Sequence, residues 1–173
     1  MKIFLIGFMG SGKTTLGRKL ARRMEYNFID LDEFIENKES KKISKIFSSY
    51  GENKFRVMEA ENLRLLEILK DAVISTGGGA PCFYDNMEWM NTRGITIYLK
   101  HDVESLFRRL RASNKKRPLI KGMSKGKLFN YIRETLALRE EYYNQSKIIM
   151  EDVPLKAKDI EASVKEYLTK MGQ

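Results

Sequence analysis

The chain reads as an α/β protein, with a five-stranded parallel sheet flanked by helices. Three observations predict it. Short apolar segments rich in branched and aromatic residues alternate with helix-like segments from end to end, the pattern of strands joined by helical crossovers. The first strand runs into a glycine-rich turn, Gly7-Phe8-Met9-Gly10-Ser11-Gly12-Lys13-Thr14, and a helix follows at once. The 173 residues, 42% of them hydrophobic, carry no internal repeat and no Pro- or Ser-rich linker, so a single domain with one continuous core is expected.

Taken in order, strands are expected at Lys2–Ile6, Asn27–Asp30, Ala72–Ser75, Ile95–Leu99 and Lys147–Met150. Helices are expected at 14–25, 33–38, 42–50, 54–70, 85–92, 102–112, 125–144 and 157–170. The first carries Leu16, Leu20 and Met24 four residues apart, with Arg and Lys between them. The 54–70 segment reads as amphipathic, its apolar positions including Leu63, Leu66 and Leu69. Pro118 and Gly122 punctuate the longest expected loop, about 113–124, a length that in a compact domain often marks a functional lid.

Composition narrows the classes further. No apolar stretch approaches the roughly 20 residues of a spanning helix. The apolar N-terminal run ends at Met9 and passes straight into the glycine turn, so a cytoplasmic protein is expected. A lone Cys82 rules out an internal disulfide framework and a multi-cysteine metal site, and is expected to be a small buried hydrophobe. The lone His101 follows a strand and shows no partner in sequence; a surface position is expected for it.

The net charge of +9 favours polyanionic partners, either nucleic acid or phosphorylated small molecules. Between Ser105 and Arg133 no acidic residue occurs, while Arg108, Arg109, Arg111, Lys115, Lys116, Arg117, Lys121, Lys125 and Lys127 are cationic. Such a run is ordinarily a solvated face. Here it surrounds the loop able to close over phosphates.

Residues 7–14 fit G-x-x-x-x-G-K-[ST] at every fixed position. Glycines let backbone N–H groups converge on an oligophosphate, and the helix N-terminus adds its partial positive charge. Lys13 is placed to reach the outer phosphates, and the Thr14 hydroxyl to ligate Mg²⁺. The alternative, a turn that binds nothing, is disfavoured by the strand before it and the helix after it. A nucleoside triphosphate is the expected ligand.

Other segments address an acceptor. Asp30-Leu31-Asp32 ends the second strand, and ligands of α/β sheets bind beyond the carboxyl ends of strands. Strand spacing would point both carboxylates the same way, one toward Mg²⁺ through water and the other toward an acceptor hydroxyl. Either one, alternatively, caps the next helix. Arg56 and Glu59 stand i, i+3, so the carboxylate would orient the guanidinium. Gly77-Gly78-Gly79 follows the third strand and implies close approach by a ligand or another segment. A carboxylate-bearing acceptor needs planar bidentate donors, which Arg56 and Arg139 would supply.

Together these pieces resemble the shikimate kinase family. Its pattern is a phosphate loop, D-x-D, G-E-x-x-F-R, G-G-G, R-P-L and L-x-x-R. The chain carries these in order as Gly7–Thr14, Asp30–Asp32, Gly51–Arg56, Gly77–Gly79, Arg117–Leu119 and Leu136–Arg139. The resemblance implies a P-loop, nucleoside-monophosphate-kinase-like three-layer fold with sheet order 2-3-1-4-5. It implies an acceptor-binding helical region at about 31–62 and a lid at about 113–124. It further implies transfer of the γ-phosphate of ATP to the 3-hydroxyl of shikimate, on the route to chorismate and the aromatic amino acids.

Carried over residue by residue, Asp32, Arg56, Gly78 and Arg139 would contact shikimate. Gly10, Ser11, Gly12, Lys13, Thr14, Thr15 and Arg117 would contact ATP. Thr14 and Asp30 would serve Mg²⁺, and Lys13, Asp32 and Arg117 would be catalytic. A monomer using neither nucleic acid nor membrane is expected. Two other readings stay open on sequence. A kinase of another small hydroxy acid, such as gluconate, shares the loop and a nearby Asp but does not need the glycine triplet with both arginines. A non-catalytic nucleotide- or nucleic-acid-binding module fits the basic charge but has no use for Asp30 and Asp32.

Overall fold

A computed structural model describes residues 1–113, 118–151 and 154–172. Five strands, β1 (Lys2–Ile6), β2 (Asn27–Asp30), β3 (Ala72–Ser75), β4 (Ile95–Leu99) and β5 (Ile148–Met150), form one sheet in the order β2-β3-β1-β4-β5. Every pairing is parallel. The fold class and strand order are those anticipated.

The three central strands are buried on both faces, which is why β1 reads as an unbroken apolar run rather than an alternating one. Ile3, Phe4, Leu5 and Ile6 are all 0% exposed. Ile3 and Leu5 pack on one side with Leu20, Ala21, Ile160 and Val164, from α1 (Lys13–Met24) and α7 (Ala157–Met171). Phe4 and Ile6 pack on the other with residues of α3 (Ile43–Leu65), α4 (Asn86–Arg93), α5 (Val103–Ala112) and α6 (Lys125–Tyr143). Three layers result. Each fully buried side chain of this size contributes about 1.5–3 kcal/mol of transfer free energy, so β1 anchors the loop that follows it.

Most helix ends shift from expectation by one or two residues, and three further differences stand out. The helices expected at 42–50 and 54–70 are one element, α3, broken at Gly51 (φ 76°, ψ 173°) and ended by a 3₁₀ turn, Leu66–Ile68. A single left-handed residue redirects the chain without an intervening loop, and only glycine takes that conformation without strain. β5 begins at Ile148 rather than Lys147. The third difference touches the site: Asp32 lies in the first turn of α2 (Leu31–Glu39), not on a continued strand.

The Asp30 side chain sets that turn. Its Oδ1 accepts from the N–H groups of Asp32 at 3.1 Å and Glu33 at 3.4 Å, capping α2. The helix-capping reading of Asp30 therefore holds. Among the described residues no helix is long and apolar enough to cross a membrane.

Candidate active site

Loops leaving the carboxyl ends of β1, β2, β3 and β4 converge at one edge of the sheet. The first is the glycine turn. Ser11 N–H donates to the Phe8 carbonyl at 3.1 Å, and α1 starts from Gly12 in a left-handed conformation (φ 98°) with no side-chain cap. The first N–H groups of α1 are thus not consumed by a capping side chain, and no acidic residue stands in the first turn to compete with an incoming anion. Lys13 is buried, its Nζ donating to the carbonyls of Gly7 at 2.7 Å and Phe8 at 3.0 Å.

Thr14 Oγ1 donates to Asp30 Oδ2 at 2.7 Å. The capping carboxylate of α2 and the first-turn hydroxyl of α1 are therefore adjacent. Two hard oxygen donors fit Mg²⁺, which binds through a few protein oxygens and completes its shell with water and phosphate. Among the described residues no group of three or more His, Cys, Asp or Glu side chains forms a cage of its own. The donor set suits an ion that arrives with a nucleotide.

The second part of the site is a cavity of about 160 Å³ lined by Met9, Asp32, Phe55, Arg56, Glu59, Gly77–Gly79, Leu119 and Arg139, among others. Arg56 is 4% exposed, and three of its five N–H donors are engaged. Its Nη1 donates to Glu59 Oε2 at 2.7 Å, while Nη2 and Nε donate to Glu52 Oε1 at 2.9 and 3.2 Å. Its guanidinium carbon lies 4.5 Å from the Phe83 ring centroid. The i, i+3 pair expected from sequence is thus a buried ion pair that fixes the plane of Arg56. Burial opposes the charge on Arg56, but Glu59 and Glu52 outweigh it and push its pKa up.

The glycine triplet makes room for this arrangement. A Cβ at Gly79 would stand 2.5 Å from Arg56 Nη2, and one at Gly77 would overlap Glu59 Oε1. A Cβ at Gly78 would reach 3.5 Å from Arg139 Nη1. Close approach is therefore the reason at Gly77 and Gly79, where the approaching groups are side chains of the cavity itself; at Gly78 a Cβ would make only ordinary contacts. The Tyr143 hydroxyl donates to the Gly78 carbonyl, and Tyr143 is 0% exposed against Tyr98 at 5.0 Å between ring centroids.

Two carboxylates stand at the centre. Burial pushes Asp32 up to about 6, with Asp30 adding to the shift and Lys13 and Arg56 opposing it. Burial pushes Glu59 up to about 7 against the pull of Arg56. Asp32 is still predominantly ionised at neutral pH and half-buried beside two cationic groups, so it can accept a hydrogen bond from a hydroxyl. The Cys82 thiol, half-buried and packed against the core as anticipated, is pushed up to about 11 by burial and is no nucleophile.

A larger cavity, about 1270 Å³, adjoins the first. Gly10, Gly12, Lys13, Thr14, Thr15, Asp30 and Asp32 line it, with Arg109, Ser113 and Lys121 on the far side. Met9, Asp32, Ile43, Gly77 and Gly78 belong to both cavities. The structure therefore brings together Gly10, Gly12–Thr15, Asp30, Asp32, Arg56, Gly78 and Arg139. Ser11 is not in the lining: it is 0% exposed, beneath the loop. Arg117 lies outside the described residues, as does the middle of the 113–124 loop; what is described of it is a turn at Pro118–Ile120, with Ile120 and Met123 packed on the core.

One expectation is overturned. His101 is not on the surface but 5% exposed, its Nε2 3.0 Å from the Ser11 carbonyl. The position just past the carboxyl end of β4 carries it beneath the turn that follows neighbouring β1. Burial and the nearby Arg109 hold its pKa below the ordinary imidazole range. Arg109 and Tyr143 also escape sequence reading. Arg109 is one of many cations in its segment, and Tyr143 carries no motif.

A parallel sheet in this order, with a phosphate loop after its central strand and a carboxylate shared with a second cavity, defines a P-loop phosphotransferase of the nucleoside-monophosphate-kinase-like class. A deoxyadenosine kinase from M. mycoides with bound dATP has the same fold, with a TM-score of 0.53 at 14% identity. The family model for shikimate kinase matches residues 9–171, and the chain belongs to the shikimate kinase family. The shikimate kinase of Phocaeicola vulgatus is 44% identical over 99% of both chains. The 1.7 Å structure of shikimate kinase from Bacteroides thetaiotaomicron superposes with a TM-score of 0.88 at 40% identity, covering 100% of this chain and 99% of that one. A shikimate kinase from Acinetobacter baumannii in complex with shikimate gives 0.86 at 34%, over 98% and 93%.

Proposed function

We propose that the chain transfers the γ-phosphoryl group of ATP to the 3-hydroxyl of shikimate, a step toward chorismate and the aromatic amino acids, and that the residues assembled above divide the work. The carrying observation is the shared wall: Asp32, Gly77 and Gly78 line both the phosphate-loop cavity and the cavity holding Arg56 and Arg139. A hydroxyl bound in the smaller cavity beside Asp32 faces the γ-phosphate of a nucleotide in the larger one.

In the reaction the acceptor oxygen forms a bond to the γ-phosphorus while the bridging bond to the β-phosphate breaks, and the electron pair leaves on ADP. Asp32 orients the hydroxyl and receives its proton; a loose transition state asks little more of a base. Arg56 and Arg139 bind the acceptor carboxylate, Arg56 already held in plane by Glu59. Loop N–H groups of Gly10 and of Gly12 to Thr15 hold the phosphates, and Lys13 neutralises charge on the transferring group. Mg²⁺ held by Thr14, with Asp30 beside it, shields the phosphate oxygens when bound.

Residues 113–124 act as a lid that brings Arg117 to the phosphates. Supporting this, Ser113 and Lys121 border the nucleotide cavity and Leu119 the acceptor cavity. Hydrogen exchange across 118–124 is expected to slow when ATP and shikimate are added together; equal protection with and without them would exclude a lid. The described residues of the site come from one chain, consistent with a monomer acting where ATP is available, in the cytoplasm. The reading calls for neither nucleic acid nor membrane.

A coupled ADP-release assay over a panel of hydroxy acids tests the proposal. Turnover with shikimate well above gluconate and above the no-acceptor rate is expected. Preference for gluconate would move the assignment to another kinase of this class, and no release with any acceptor would favour a binding module.

A further inference from the structure

The mechanism above makes no use of His101, yet this side chain reaches 90 residues back in sequence to touch the phosphate loop. A carbonyl only accepts, so the contact at 3.0 Å requires a proton on Nε2. Nδ1 is buried and has no hydrogen-bond partner among the described residues. The acceptor, Ser11, is itself 0% exposed. Without His101 its carbonyl would be buried with no donor from this side chain, a costly state for a backbone group.

The peptide that His101 grips lies between two glycines in left-handed conformations. Ser11 stands between Gly10 (φ 86°) and Gly12 (φ 98°). Rotating the Ser11–Gly12 peptide changes mainly the ψ of Ser11 and the φ of Gly12, and glycine accepts either sign of φ at little cost. Local preference therefore does not decide which way this peptide faces. A trans peptide carries its C=O and N–H on opposite sides. With the Ser11 carbonyl turned to His101, the Gly12 N–H points away from it. Gly12, Lys13, Thr14 and Thr15 line the nucleotide cavity.

We propose that His101 is a positioning residue for the nucleotide, holding the Ser11–Gly12 peptide so that the Gly12 N–H faces the phosphates. The inference rests on reading the glycine turn as the ATP site. The charged groups of the acceptor cavity, Asp32, Arg56 and Arg139, come from other loops and helices, although Met9 of the same turn lines both cavities. Loss of the tether should weaken nucleotide binding and leave acceptor binding alone. An amide that presents a donor at the Nε2 position should restore the tether.

The test compares wild type with His101→Phe, which keeps a ring but has no donor, and His101→Gln, which supplies one. ADP affinity is measured by calorimetry, and KM by steady-state kinetics with each substrate varied in turn. His101→Phe is expected to raise Kd for ADP and KM for ATP roughly three- to tenfold, with KM for shikimate within about twofold, and His101→Gln to recover most of the loss. If His101→Phe does not fold, His101→Ala takes its place against His101→Gln. Unchanged nucleotide constants in the donorless variant would overturn the inference. So would parallel rises in both KM values with His101→Gln no better than Phe, the pattern of a purely structural role. Wild type that binds no ADP would instead refute the nucleotide reading itself, and the inference with it.

Discussion

Arg56 and Arg139 face the same cavity but are held differently. Arg56 is locked by Glu52 and Glu59, whereas Arg139 lies beside Gly78 with its guanidinium 5.8 Å from the Phe8 ring centroid. A lysine at position 139 keeps the charge but not the fork. Arg139→Lys is expected to raise KM for shikimate about tenfold or more, with KM for ATP nearly unchanged, in steady-state kinetics. Equal effects on both substrates would contradict the clamp.

Asp32 gives a pH signature. Its carboxyl must be ionised to take a proton, and it sits at about 6 because of burial and Asp30. The kcat/KM for shikimate should rise with pH through about 6 and then level, and Asp32→Asn should be nearly inactive. The folded pKa lies above the ordinary value of 3.8, so the folded state favours the protonated form. That contribution is present below pH 4 and lost as pH rises through about 6. Asp32→Asn should therefore gain thermal stability over wild type at pH 8 and not at pH 4, read by Tm at the two pH values.

Sequence spacing found the Asp30/Asp32 pair for an incomplete reason. Strand periodicity suggested a common direction, whereas Asp30 faces Thr14 and caps the helix on which Asp32 stands. His101 was not legible at all, because a lone histidine shows nothing of the neighbouring strand's loop that covers it.

Whole elements were more legible than single contacts. The central strands were readable because burial on both faces leaves no polar alternation, and the helices because apolar positions recur at helical spacing. Where α3 bends was not, since one glycine in a left-handed conformation redirects a helix without any loop-like composition. The glycine triplet was legible as a point of close approach, but not what approaches: Arg56 and Glu59, side chains from another element. It follows that Gly79→Ala should act through Arg56. A methyl group 2.5 Å from Nη2 must displace the guanidinium. The variant is expected to lose shikimate affinity by about an order of magnitude or more, as when a charged hydrogen-bonding group is misplaced, while ADP binding by calorimetry stays near wild type. Wild-type affinity for shikimate would show that Arg56 does not depend on this wall.

At the scale of the molecule, the order β2-β3-β1-β4-β5 puts the phosphate loop in the middle and the loops from its neighbours on either side. The β3 side supplies Gly77–Gly79, the β2 edge Asp30 and Asp32, and the β4 side His101 and Arg109. Alternation of strands and helices implied a parallel sheet but not its order, which depends on which crossovers skip a neighbour; that came only through family resemblance. The same order makes the acceptor and nucleotide cavities share a wall, and direct transfer across that wall is the central claim. Phosphorus NMR of the wild-type enzyme with Mg²⁺, ATP and shikimate tests it most directly. One new phosphate monoester signal, on the shikimate 3-hydroxyl and growing mole for mole with ADP, is the expected result. ADP accompanied by inorganic phosphate instead of the ester, or a monoester at another hydroxyl, would contradict it.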